Sequence, residues 1–146
     1  MKRIGSILVG VSWLLYLASW TMPAVRFQDA EPYMGWMAGQ AVIHTIPSFY
    51  RDWSSFLGSI LGIGNIFAVI APAALFFSAK RLFGFLSLFS IAVFVIALSM
   101  SFFGKGYAEG YYFWVASFLG TAIGFGTLSV GVPPAESPKP TGFARG

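Results

Sequence analysis

The sequence predicts an all-α integral membrane protein: four transmembrane helices in an antiparallel bundle, with both termini cytoplasmic and a short interfacial helix in the first outer loop. Three observations predict it. Four apolar runs are each long enough to cross a hydrocarbon slab about 30 Å thick, which takes roughly 20 residues at about 1.5 Å rise each. The composition, 57% hydrophobic and 18% aromatic against 10% charged, lies outside the ordinary soluble range. The basic residues gather at the ends of the runs, and mostly on one side. Lys2, Arg3, Lys80, Arg81, Lys139 and Arg145 fall inside, and Arg26, Arg51 and Lys105 outside, a bias of six to three.

The first helix is expected at about 4–22, after Met1-Lys2-Arg3. A basic start and an apolar run also describe a signal peptide. This run exceeds the usual length of about 7–15 residues and ends at Met22-Pro23-Ala24 rather than at a small-x-small site, so a retained helix is expected. The outer cap, 24–53, holds most of the polar chemistry. Its first part is turn-like. Its second part, Tyr33 to Ile46, mixes Met34, Trp36, Met37, Val42 and Ile46 with glycines, which suits a short helix in the membrane interface or in the mouth of the bundle, ended by Pro47. Trp36, His44, Tyr50, Arg51 and Trp53 are the candidate partner-binding residues of this cap, because Trp, Tyr and Arg dominate interaction hot spots.

The second and third helices, about 54–77 and 82–103, form a hairpin around Ser78-Ala79-Lys80-Arg81, and this hairpin is expected to organise the rest of the chain. About 14 Leu, Ile, Val and Phe residues from Leu82 to Phe103 contribute roughly −4 to −8 kcal/mol to insertion. Asn65, deep in the second run, is expected to hydrogen-bond to a neighbouring helix, since an unpaired amide in lipid is costly. Pro72 removes a donor to the Ala68 carbonyl and predicts a kink there. Gly58 and Gly62, four apart, and the ladder Gly120 and Gly124 in the fourth helix at about 111–130, are candidate helix-packing faces. Together with Asn65 and Pro72 they are also the residues that would line a solute pathway. The transmembrane domain thus spans 1–132, and 133–146 is read as a proline-rich, flexible cytoplasmic tail.

Chemistry is harder to find. There is no cysteine, so thiolate metal sites and thiol catalysis are excluded. The single histidine, His44, cannot supply a two-histidine zinc motif by itself. No aspartate, glutamate, histidine or lysine lies within the spanning runs to activate a serine or relay a proton. Gly62-Ile63-Gly64-Asn65 lacks the third glycine and ribose-binding acid of a dinucleotide site. The nine basic residues are scattered rather than gathered into a stripe, which argues against nucleic acid. The expectation is therefore a multi-pass cell-membrane protein of bacterial inner-membrane type. It has no cofactor and no intrinsic catalysis, acts as an accessory, assembly or interaction subunit, and contacts membrane lipid and a membrane-protein partner or a second copy of itself. A subunit of a small-solute or ion transporter is the alternative, and a lipid-handling enzyme around His44 a third reading.

Overall fold

A computed structural model describes residues 2–26, 31–77, 79–103 and 106–130. Asp29, Ser78 of the hinge, the Gly104-Lys105 turn and the tail at 133–146 lie outside them. α1 (Lys2–Trp20) leads into an antiparallel ribbon of β1 (Pro23–Val25) and β2 (Tyr33–Met34), then α2 (Gly35–Ile43) and a 3-10 turn at Ile46–Ser48. α3 (Trp53–Ile70) runs on as a 3-10 turn over Ala71–Phe76, followed by α4 (Lys80–Phe103) and α5 (Glu109–Val130). Four of these helices, counting α3 with its continuation, are long and apolar enough to cross a membrane.

Boundaries shift where proline and charge act. Pro72 stands in the first turn of the 3-10 segment, so the backbone tightens after Ile70. Pro47 likewise lies inside the 3-10 turn at Ile46–Ser48, and α2 has already ended at Ile43. The basic pairs are helical: Lys2-Arg3 open α1, and Lys80-Arg81 open α4 rather than forming its preceding loop. Cations at a helix N-terminus oppose the dipole by roughly 0.3–1 kcal/mol each, so local helix stability does not account for them.

The packing centre is α5, not the hairpin expected from the sequence. α5 packs extensively on α1 along one side and on α4 along the other, whereas the consecutive α3 and α4 touch sparingly. Side-chain size explains this. At the α1–α5 seam, a Cβ on Gly124 would lie 2.7 Å from Val9 Cγ2 and 3.0 Å from the Gly5 carbonyl, and one on Gly120 would lie 2.2 Å from Ser12 Oγ. Only glycine lets these backbones come so near. α4 meets α5 through a buried stripe, Phe83, Leu86, Ser90, Val93 and Ala97, at alternating spacings of three and four. Ser87 Oγ donates to the Ala122 carbonyl across this contact at 2.8 Å. α3 reaches the others through large side chains, with Phe67 against Phe89 and Phe125.

The two halves of the interior differ. Near the Lys2 and Lys80 ends the core is Val9, Phe67, Ala71, Phe83, Leu86, Phe125 and Leu128, apolar throughout. Toward the cap it includes Tyr16 and Tyr111 beside Leu61, Val93, Ala97 and Phe118, and polar groups enter.

Candidate functional site

The cap is knit from both loops at one end of the molecule. β1 pairs with β2 on one edge, and on the other Arg26 N donates to the Gly106 carbonyl (2.7 Å) and Ala108 N to the Ala24 carbonyl (2.9 Å). Gly106 has φ +92°, and a Cβ there would lie 2.6 Å from the Arg26 carbonyl, so the turn requires glycine. Arg26 Nη2 donates to both Glu109 carboxylate oxygens at 3.0 and 2.9 Å, an exposed pair that closes the same seam. α2 is held down at both ends. Gly35 N donates to the Met22 carbonyl at 2.9 Å, and Gly58 and Gly62 of α3 press against Thr45, Val42 and Ile46. Those two glycines thus face the cap helix rather than another long helix.

Asn65 is the polar centre beneath the cap. It is 2% exposed, and its Oδ1 accepts from Trp114 Nε1 at 2.9 Å and from Tyr16 Oη at 3.2 Å. An indole nitrogen only donates, so the amide oxygen must face Trp114. Its Nδ2 donates to the Leu61 carbonyl of its own helix at 3.2 Å. One side chain therefore joins α1, α3 and α5. Tyr111 Oη closes the next contact by donating to the Ala97 carbonyl of α4.

Depth follows from counting residues. Asn65 lies about 18 Å along α3 from Trp53, but its partners lie only about 8 Å from the start of α5 and about 6 Å from the end of α1. α3 has about 10 Å more helix on the cap side than either neighbour, and α2 clads that excess. Asn65 is thus not deep relative to α1 and α5, as its place in the apolar run suggests. It sits one to two turns inside their ends.

Between the cap and Asn65 lies a cavity of about 270 Å³. Its roof is one face of α2, Gly35, Ala38, Gly39 and Val42, and its walls are Leu61, Met100, Tyr107, Tyr111 and Trp114. Among the described residues, no aspartate, glutamate, lysine, arginine or histidine lines it. A second hollow of about 580 Å³ runs between α3 and α4, along Trp53, Leu57, Val95, Ile96 and Ser99, and meets the first at Met100 and Tyr107. Burial, and then the neighbouring Tyr112, raise the Tyr107 phenol above its ordinary range.

No relative identifies the chain. No protein-family model matches it, and neither does any curated protein or solved structure. Function is therefore read from this geometry alone.

The residues singled out from the sequence separate into groups. Trp36, His44, Tyr50, Arg51 and Trp53 are all exposed on the cap, and of these Trp53 also edges the α3–α4 hollow. His44 caps the end of α2 through its backbone N–H, while Asp52 is the N-cap of α3, accepting from Ser55 N at 2.7 Å and from the Ser54 hydroxyl at 2.7 Å. The Ser54 hydroxyl, followed by the Ser55 amide, holds the Asp52 carboxyl below its ordinary value. Among the described residues no group of three or more His, Asp or Glu side chains could hold a metal. Gly58 and Asn65 line the cavity, whereas Gly120 and Gly124 are closed by α1.

Sequence reasoning missed Tyr16, Tyr107, Tyr111 and Trp114, and it read the α2 glycines as interruptions. Gly35, Ala38, Gly39 and Val42 stand at i, i+3, i+4 and i+7, a single helical face of small residues. That spacing was the available signal for a hollow under α2.

Proposed function

We propose that the chain is a multi-pass membrane protein without chemistry of its own that serves as an accessory or assembly subunit of a membrane complex. α1 carries the membrane part of this reading. It buries Gly5, Val9, Ser12, Tyr16 and Ser19 and exposes Ile4, Ile7, Val11, Leu14 and Leu17. Small and polar residues face inward and large aliphatic ones outward, the reverse of a helix folded in water and an arrangement that lipid favours. α4 likewise turns Phe85, Leu88, Ile91 and Val95 outward, although its buried stripe mixes Ser90 and Ala97 with Phe83, Leu86 and Val93. In the topology we favour, the helices form an antiparallel bundle of bacterial inner-membrane type. Lys2-Arg3 and Lys80-Arg81 lie at the cytoplasmic surface and the cap lies outside, with α2 at the interface.

The interaction part rests on the collar that follows α2. Phe49, Tyr50 and Trp53 are 56%, 74% and 71% exposed around Arg51, beyond the apolar length of α1 and α5. Aromatic and arginine side chains so placed are suited to a protein partner. A transport route, the alternative, would need open space at the glycine faces, and Gly58, Gly62, Gly120 and Gly124 each meet a close neighbour. The test is a photo-cross-linking residue placed at Tyr50 or Trp53 in native membranes. One discrete protein adduct from these positions, and none from Leu88 on the apolar face of α4, is expected. Lipid adducts alone from all three, with a bare monomer in mild detergent, would count against an accessory role.

A further inference from the structure

The cavity under α2 and the hollow between α3 and α4 lie side by side, with Met100 and Tyr107 lining both. We infer that the two together bind a neutral acyl ester drawn from the outer leaflet, its carbonyl against Asn65 and its hydrocarbon chain leaving through the α3–α4 hollow. The inference rests on the membrane placement proposed above and is independent of the accessory role.

Four features carry it. The first is a donor. The Asn65 oxygen takes two hydrogen bonds and its nitrogen gives one, which leaves one amide hydrogen with no acceptor among the described residues. That side chain lines the cavity and is 2% exposed, so water does not satisfy it freely and an entering acceptor would. The second is charge. Among the described residues the lining holds no group charged at neutral pH, so an ionised headgroup inside it would meet no counter-charge, which selects an uncharged acceptor. Arg26 and Glu109, in the seam above, are paired with each other.

The third feature is level. Asn65 lies within about 8 Å of the ends of α1 and α5, among Tyr16, Trp20, Tyr111 and Trp114. Such residues mark the depth of the headgroup boundary, which is where the ester groups of a lipid lie. The fourth is size and entry. A cavity of roughly 150 Å³ accepts benzene, so 270 Å³ holds about ten heavy atoms, an ester and a short run of chain. The rest of the chain leaves by the hollow past Val95, which is exposed on the flank of α4 near the level of Asn65, since Gly64 meets Val93. Met100, unbranched and adaptable, stands between the two spaces.

Gly39 supplies a clean test. It lines the cavity, and a Cβ built on it meets no atom within 4 Å, so a side chain placed there starts in open space. Protein purified in a maltoside detergent would be titrated with a monoacylglycerol brominated along its chain, a short-range quencher of indole fluorescence. Saturable quenching is expected in the natural chain. Gly39→Phe should weaken it at least tenfold with unchanged thermal unfolding, and Asn65→Leu should weaken binding of the ester but not of a brominated alkane of equal length. Quenching that only tracks the mole fraction of probe in the micelle would overturn the inference. So would equal affinity in Gly39→Phe, or tighter binding of a short-chain quinone than of the ester. Any of these three failures in a protein that still requires detergent leaves the membrane reading standing, whereas a chain that stays monomeric in plain buffer removes that reading itself.

Discussion

α1 and α5 lie at opposite ends of the chain and pack backbone to backbone, while α3 and α4 are joined by a short turn and leave a hollow between them. The contrast shows what a short connection settles. It makes two helices neighbours, but side-chain size decides how close they come. Gly5, Gly120 and Gly124 permit the first contact, and Trp53, Leu57, Val95, Ile96 and Met100 line the opening in the second. α3 and α4 draw near at Gly64, where a Cβ would lie 2.9 Å from Val93 Cγ1, and diverge toward the cap.

Breaking the tight seam should have the largest effect. Gly124→Leu forces a branched side chain into Val9 and the Gly5 backbone, and is expected to cost about 3 kcal/mol or to prevent folding, read as thermal unfolding in detergent. Gly10→Ala is the control. Its Cβ would meet nothing, so the expected result is neutral or a gain of up to about 1 kcal/mol from better helix propensity.

The seam shows what could be read in advance. The four long apolar helices, the short helix between the first two of them and the small-residue ladder follow from local properties, apolar length and residue size, which a linear reading captures. The centrality of α5 does not, because it depends on which distant face each glycine meets. Asn65 announced itself as polar within an apolar run, but its true level was set by the overhang of α3. That overhang arises from the fit of Thr45, Val42 and Ile46 onto Gly58 and Gly62, a contact between elements that no single segment encodes.

The next effect concerns the polar link between the tight and loose regions. Asn65→Leu takes the acceptor from the Trp114 indole and one of two from the Tyr16 hydroxyl, which keeps the Asn65 backbone carbonyl at 3.2 Å, and a loss of about 1–3 kcal/mol is expected. Combining it with Tyr16→Phe should cost less than the sum of the two single changes, because each change removes the bond between the Tyr16 hydroxyl and the Asn65 side chain. Strict additivity would show that Asn65 stabilises the fold by some other contact.

At the exposed edge of the cap the effects shrink. Arg26→Ala removes a two-oxygen contact, but both partners are 61% exposed, and the expected loss is within about 1 kcal/mol and falls with added salt. Smallest is the cap of α3. The Asp52 carboxyl titrates below its ordinary value of about 3.9, so its contribution is present above that value and is lost as pH falls through the lower folded one. Asp52→Ala should thus be less stable than the natural chain at about pH 6 and indistinguishable from it at about pH 2.

In the proposed topology α1, α3, α4 and α5 cross lipid, with the cap on the far side from Lys80 and Arg81. The chain has no cysteine, so single cysteines report position without background. A membrane-impermeant maleimide added to intact cells should label Tyr50→Cys at once, label Ala79→Cys only after permeabilisation, and spare Ile91→Cys under both conditions. Labelling of Ala79→Cys from outside, or ready labelling of Ile91→Cys, would contradict the account.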